Sequence, residues 1–284
     1  MGILFKDVSH TFHGLKKKDI FTALADINLD INENNEFIAV VGRTGSGKST
    51  LLQHMNGLRL PTSGYIDVCG YKITPKKKKN PKLKNVRRKI GYVFQFPEYQ
   101  LFEENVIKDI MFGPLNFGMN KEEAEKKALE VMDLLKITDL KDKSPFNLSG
   151  GQMRRVAIAG VLSYDPDIIL LDEPTRGLDP KGAIEIMELF EEIRKKTNKT
   201  LIMITHDMDL VYQYATRVVV LNGGHVTYDG NRIDLFKNDT YRNNYLVKPE
   251  VLKLIDYLNE KNNYNIPYEG NYNLDELIKT LENL

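Results

Sequence analysis

The stretch Gly42-Arg43-Thr44-Gly45-Ser46-Gly47-Lys48-Ser49-Thr50 combines residue types at a spacing suited to holding phosphate. Three glycines open backbone conformations closed to residues with a Cβ, so several N–H groups can converge on one anion. A helix beginning near Lys48 adds unpaired N–H groups and the positive end of its dipole. Lys48 brings a point charge to β- and γ-phosphates, and the Ser49 hydroxyl suits a magnesium ion. A glycine-rich turn alone is compatible with no ligand. Lys-Ser in register, after a strand and before a helix, makes it a phosphate loop. The expectation is a bound nucleoside triphosphate with Mg2+.

The elements that must position this chemistry lie along the middle of the chain. Phe37–Val41 is an apolar run that reads as a buried strand, and Leu51–Met55 continues as helix. Ile168–Leu171 is a second such strand and carries Asp172 and Glu173 at its C-terminal edge, where ligands sit in open α/β sheets. Asp172 is expected to hold magnesium through water. Glu173 is the candidate general base for the water that attacks the γ-phosphate. Strand Thr200–Thr205 ends at His206, whose ring N–H suits the γ-phosphate and that water. Strand Ile90–Phe94 ends at Gln95, whose carbonyl oxygen suits the metal and the water. Upstream, Phe12 is either a core ring or a face on which a base stacks.

Leu148-Ser149-Gly150-Gly151-Gln152 opens another helix, Met153–Ser163, and makes a second anion site from N–H donors and a dipole. A chain with one phosphate loop has no evident use for a second γ-phosphate cradle. The economical expectation is that it serves a nucleotide held by another subunit, with two nucleotides sandwiched in a dimer. Asp179, in Gly177-Leu178-Asp179, is expected at the same seam.

The remaining elements frame the sheet. Ile3–Val8 and Asp26–Ile31 alternate polar and apolar residues as antiparallel strands do, separated by a loop with Lys16-Lys17-Lys18. Tyr65–Cys69 reads as a strand. Thr74–Lys89 is strongly basic and reads as an exposed loop entering a helix, with anionic lipid as the functional alternative. Residues 106–142 read as helical, with Ala124, Ala128, Val131, Met132 and Leu135 at helical spacing. Lys181–Lys196 is a helix, and Val218–Leu221 with His225–Tyr228 a hairpin. Strands alternating with helices imply an α/β fold with a parallel sheet buried on both faces. The expected domains are residues 1–230, with a helical subdomain near 100–165, and a tail over 231–284. The tail is expected to hold one amphipathic helix near Pro249–Asn262 (apolar stripe Val251, Leu252, Leu254, Ile255 and Leu258) and another near Leu274–Leu284.

Composition narrows the function classes. The 284 residues carry 40 Lys and Arg against 39 Asp and Glu, a net charge of +1 that argues against nucleic-acid binding. The single cysteine, Cys69, excludes an internal disulfide and fits a reducing cytoplasm. No run approaches the eighteen or so apolar residues of a membrane helix, and residues 1–7 lack the apolar region of a signal peptide. Gly2 lacks the downstream Ser or Thr of a myristoylation signal. A partner must bring such a chain to a membrane.

The ordered set Phe12, Gly42–Thr50, Gln95, Leu148–Gln152, Ile168–Glu173, Gly177–Asp179 and His206 resembles the ATPase subunits of ATP-binding-cassette (ABC) transporters over residues 3–230. The resemblance implies a P-loop NTPase with a RecA-like core, an antiparallel β section and a helical signature subdomain. It makes Phe12 the adenine-stacking aromatic, Gln95 the coupling glutamine and His206 the switch histidine. More narrowly, Val93–Glu103, Phe112-Gly113-Pro114, Met153–Gly160 and Asp172–Thr175 resemble the energy-coupling-factor (ECF) importers, second or A-prime type of ATPase. That implies a second related ATPase, a transmembrane coupling protein, an exchangeable substrate-binding membrane protein, and a place on the cytoplasmic face of the membrane. It also implies that the tail adds to the dimer contact, and that Glu98, Glu103 and Glu104 meet a basic coupling helix. Arg176 departs from the pattern, where a small residue is commoner. The alternatives are a cobalt- or nickel-type importer with a homodimer of this chain, and a soluble cassette ATPase acting on nucleic acid or ribosomes.

Overall fold

The computed structural model describes residues 2–14, 20–32, 35–76, 80, 82–238, 240–262, 264–269 and 273–282. The Lys16-Lys17-Lys18 tip and most of the Lys76–Lys79 run lie outside them. Two sheets face each other across α1 (Lys48–Met55). The first is antiparallel, in the order β2 (Ile20–Asn32), β1 (Gly2–His13), β4 (Ser63–Val68), β5 (Tyr71–Ile73). β1 and β2 run longer than their alternation predicts because bulges after Phe5, Val8 and His10 absorb the irregular part of the pattern. Cys69 falls in the turn after β4 rather than in the strand.

The second sheet has the order β10 (His225–Asn231), β9 (Arg217–Asn222), β3 (Phe37–Val41), β8 (Thr200–Ile204), β7 (Ile168–Asp172), β6 (Ile90–Val93). All neighbours are parallel except the β9–β10 hairpin. Strands β3, β6, β7, β8 and β9 are almost wholly apolar and buried because both faces are covered, whereas the edge strand β10 alternates exposed and half-buried residues. In β7, Ile168 and Leu170 join the core shared with the antiparallel sheet and α1, while Ile169 and Leu171 join the core under the helices. That second core is closed by α3 (Val106–Asn116), α4 (Lys121–Leu134), α5 (Gly150–Leu162) and α6 (Pro180–Thr197). α2 (Leu83–Lys89) ends the basic segment and buries Val86.

Parallel register brings the chemistry to one edge. Val40 lies beside Ile204, Ile204 beside Asp172, and Leu171 beside Val93. Gly42, His206, Glu173 and Gln95 each stand one or two residues beyond those partners. They therefore emerge side by side at the C-terminal ends of β3, β8, β7 and β6.

The tail is more structured than its sequence predicts. Its helices α8 (Arg232–Lys237), α9 (Thr240–Asn243), α10 (Glu250–Asn262) and α11 (Leu274–Glu282) share a third core with α7 (Met208–Tyr214), which precedes the tail, and with β3 and β9. The apolar stripe of α10 predicted from spacing turns inward on its own chain. Leu252 and Ile255 are fully buried, and the Tyr212 hydroxyl donates to the Tyr268 carbonyl (3.0 Å). Leu254, Tyr257, Leu274 and Ile278 stay exposed. Among the described residues no helix is long and apolar enough to cross a membrane.

Candidate functional site

The phosphate loop turns between β3 and α1 in backbone conformations that require glycine. Gly42 has φ +141°, and a Cβ there would stand 2.1 Å from the Leu221 carbonyl oxygen. Gly47 has φ +103°, and its Cβ would stand 2.3 Å from the Ala23 oxygen. The antiparallel section and the hairpin thus press directly on the loop. Lys48 curls back so that Nζ donates to the carbonyls of Gly42 (2.8 Å) and Arg43 (2.9 Å). Burial lowers its pKa, and the charges of Glu173 and Asp172 oppose that shift. Ser46 is buried beneath the loop, whereas Arg43, Thr44, Gly45 and Ser49 are exposed and Thr50 is half-buried.

The carboxylates occupy different environments although they are adjacent. Burial raises the pKa of Asp172; hydrogen bonds from Tyr92 and Ser49 and the charge of Lys48 pull it back down. The Tyr92 hydroxyl donates to Asp172 Oδ2 at 2.8 Å. Tyr92 was not singled out in the sequence, where it reads as one more apolar residue of β6. Glu173 has φ +48°, a left-handed conformation that costs about 1 kcal/mol for a residue with a Cβ. Its N–H donates to the Ile204 carbonyl (3.0 Å), which swings the side chain off the strand line into the open edge. His206 Nδ1 stands 3.6 Å from Glu173 Oε1, and Arg176 Nη1 3.4 Å from Oε2. Gln95 reaches the same group. With its amide turned to satisfy its neighbours, its oxygen accepts from Arg176 Nη1 and Nε (the latter 3.0 Å). That orientation is preferred to a marginal 3.5 Å contact from Gln95 Nε2 to Glu173, because it gives the amide oxygen two donors. Gln95 thus faces a guanidinium here, where the sequence placed it toward the metal.

Ser49 and Asp172 fit a magnesium ion. They offer hard oxygen donors in hydrogen-bond contact, beside a carboxylate whose burial favours a compensating positive charge. Among the described residues no group of three or more His, Cys, Asp or Glu is arranged to hold a metal. Mg2+ needs none, since it takes most of its shell from water and phosphate oxygens.

The second glycine stretch is built differently. Ser149 caps α5: its Oγ accepts from the Gln152 N–H (3.3 Å), and Gln152 Oε1 accepts from the Ser149 N–H (3.0 Å). Leu148 is buried, while Gly150 and Gly151 are exposed and a Cβ at either would meet open space. None of the five residues lines the cleft of about 880 Å³ that contains Arg43, Lys48, Glu173, Arg176 and His206. Asp179 also lies outside that lining and caps α6, accepting from the Gly182 N–H at 3.1 Å.

The ABC transporter family model matches residues 24–176. The energy-coupling factor transporter ATP-binding protein EcfA2 of Bacillus subtilis (strain 168) is 52% identical over 238 residues, covering 83% of this chain and 86% of that protein. The protein of the same name from Ligilactobacillus salivarius (strain UCC118) is 45% identical, with 99% and 98% covered. Among solved structures, CbiO1 of Clostridium perfringens, part of the ABC transporter complex CbiONQ, superposes with TM-score 0.74 at 34% identity, covering 99% of this chain and 98% of that one. A dimeric ATP-binding cassette in a post-hydrolysis state with ADP and Pi gives 0.70 at 32%, covering 81% and 98%. This chain belongs to the ABC ATPases, among the EcfA2-type proteins.

Within this ABC ATPase, two regions join the site that the sequence did not point to. Tyr245, Leu246 and Val247 of the tail line the cleft, and the Arg43 guanidinium stacks over the Tyr245 ring at 5.2 Å. Arg154 of α5 is buried, its Nε and Nη2 on Glu98 (3.2 and 3.1 Å) and its Nη1 on the carbonyls of Pro174 and Arg176 (3.2 and 3.3 Å). This corrects the expectation that Glu98 meets an external basic helix, because its carboxylate is committed inside the chain. Glu104 pairs with Lys108 one helical turn on, and both side chains are exposed, so unlike Glu98 it stays open to a partner. Phe12 lies away from the cleft lining. The Arg59 guanidinium stands over its ring at 4.7 Å, and the His10 ring meets it edge-on at 4.6 Å. The His54 ring in turn packs on His10 from the buried face of the phosphate-loop helix, with its pKa lowered to about 4 by burial.

Proposed function

We propose that this chain binds and hydrolyses ATP as one ATPase subunit of an energy-coupling-factor importer. The observation that carries the reading is a single sheet edge where Lys48, Ser49, Asp172, Glu173 and His206 converge, with the glycine signature of α5 outside the same cleft. In this reading the loop N–H groups and Lys48 hold the β- and γ-phosphates, and Phe12 takes the base once Arg59 leaves its ring. Ser49 and Asp172 hold Mg2+ (Asp172 through water), which neutralises phosphate charge when bound; Gln95 joins them after release from Arg176. Glu173 accepts the proton of the attacking water, and His206 orients that water and the γ-phosphate.

Leu148–Gln152 would serve the nucleotide of a second ATPase, with Asp179 at the seam. The preferred partner is a related chain; a homodimer, as in a cobalt- or nickel-type importer, is the second arrangement. A transmembrane coupling protein and a substrate-binding membrane protein complete the proposed complex on the cytoplasmic face of the membrane, and no nucleic acid is involved. Among the described residues, Leu254, Tyr257, Leu274 and Ile278 are exposed apolar side chains of the tail available to a partner. The test is affinity capture of tagged chain from detergent-solubilised membranes, with the bound chains identified by mass spectrometry. A second ATPase, a polytopic protein and small membrane proteins are expected. Only copies of this chain with one dedicated permease would favour the homodimeric importer. Ribosomal or DNA-bound material without membrane protein would overturn the assignment.

A further inference from the structure

Arg176 stands among the three side chains to which catalysis is assigned, and nothing in the proposed reaction uses it. Its Nη1 lies 3.4 Å from Glu173 Oε2, and its Nη1 and Nε both donate to the Gln95 amide oxygen. One guanidinium therefore holds the carboxylate that would accept a proton and the amide that would turn toward the metal. The side chain is 55% exposed, so it is free to leave.

Its backbone is not free. The Arg176 carbonyl accepts from Arg154 Nη1 and Nη2, both at 3.3 Å. Arg154 holds the Pro174 carbonyl and forms a two-point pair with Glu98, in the turn that follows Gln95. The pair is buried, with Arg154 side-chain exposure at 4% and Glu98 at 14%. A buried guanidinium with every contact directed at one loop and one turn fixes their separation more firmly than a surface pair could. Arg154 sits on α5, two residues after the signature glutamine. Displacement of α5 thus pulls on the peptide that carries Arg176.

We infer that Arg176 is a positioning residue that latches Glu173 and Gln95 in a resting arrangement, and that Arg154 with Glu98 links release of the latch to movement of α5. While the latch is closed, one guanidinium engages both Glu173 Oε2 and the Gln95 oxygen, so neither atom is available to the water or the metal. Engagement of α5 by the second ATPase shifts its N-terminus, draws the Arg176 peptide with it, and frees both groups. The inference rests on the proposed ATPase reading and adds its restraint.

The test uses the complete complex, with Arg176→Ala and Arg176→Lys compared with wild type. An exposed pair of this kind is worth little, so Arg176→Ala should raise the basal kcat for ATP about two- to fivefold with KM for ATP unchanged. Substrate uptake per ATP should fall in parallel. Arg176→Lys keeps a charge but loses the fork that grips two partners, so its effect should fall between. Glu98→Gln, which leaves the latch in place and weakens its link, should lower uptake per ATP without raising basal kcat. A fall in kcat for Arg176→Ala would overturn the latch and make Arg176 a promoter of the reaction. Unchanged kcat and coupling would also overturn it. If the wild-type complex itself hydrolyses no ATP, the ATPase reading fails instead, which separates the two.

Discussion

The two glycine-bearing helix starts of this chain, Gly42–Thr50 into α1 and Ser149–Gln152 into α5, are both anion cradles by composition and differ in everything around them. At the first, backbone from β2 and β9 would clash with any Cβ on Gly47 or Gly42, and Lys48 is folded into the loop. At the second, the glycines face open space and the helix start is satisfied by its own Ser149–Gln152 exchange. A cradle finished within one chain has backbone pressed against it at Gly42 and Gly47, with Gly45 alone of its glycines open. A cradle meant for a nucleotide on another chain must leave its glycines uncovered and keep the helix end stable alone, which a capping box does.

Four experiments press on that contrast. The largest effect is expected at the first site's edge: Glu173→Gln should lower kcat by about a hundredfold or more while ATP still binds, as single-turnover hydrolysis and equilibrium binding would record. Retained turnover would remove Glu173 from the chemistry.

At the second site, Gly151→Asp puts a negative charge where a phosphate should sit. The isolated chain should fold and bind ATP as before, because the added atoms meet open space. Hydrolysis by the assembled complex should fall about a hundredfold, the usual scale for losing preorganised donors at an anion. Loss of ATP binding by the isolated chain would mean that both cradles serve one nucleotide.

Acid should distinguish the two helices next. His54 lies on the buried face of α1, and burial lowers its pKa from 6.5 to about 4. The unfolded chain takes up a proton first, so the His54 contribution is fully present above pH 6.5 and is lost as pH falls from 6.5 toward 4. That is worth up to about 3 kcal/mol, measurable by denaturant titration across the window. His54→Gln should flatten the profile there, and an unchanged slope would remove His54 as the cause. The smallest effect belongs to Ser149→Ala, which should cost about 1 kcal/mol of stability through the lost cap and leave ATP binding by the isolated chain intact.

The phosphate loop, the Asp172-Glu173 pair, Gln95, the signature and His206 were legible because each is a local pattern, a few residues joined to one strand or helix. The convergence of all but the signature was legible too, since parallel strands present their C-terminal ends together. Other features were not. Tyr92 looks like any residue of a buried strand, and only the β6–β7 register puts its hydroxyl on Asp172. Arg154 and Glu98 look like surface charges, since nothing local marks a charge as buried. Pairing across 56 residues decides it. Phe12 was picked out by position, but Arg59 over its ring and its place outside the cleft depend on how β1 meets the segment after α1. The α10 stripe marked a face to be buried without saying against what, and the answer was α7 and the core of its own chain.

The sequence by itself therefore determined the reaction class and nearly all the groups proposed for it. Backbone N–H groups, a lysine and carboxylates at strand ends act through residue type and short-range spacing, which the chain order records. Tertiary structure decided what surrounds and restrains those groups: Tyr92 on Asp172, Arg176 across Glu173 and Gln95, the Arg154 anchor, and Tyr245 over Arg43. Such contacts join segments distant in sequence, and a side chain's charge, burial and partners are set by packing that no single segment encodes.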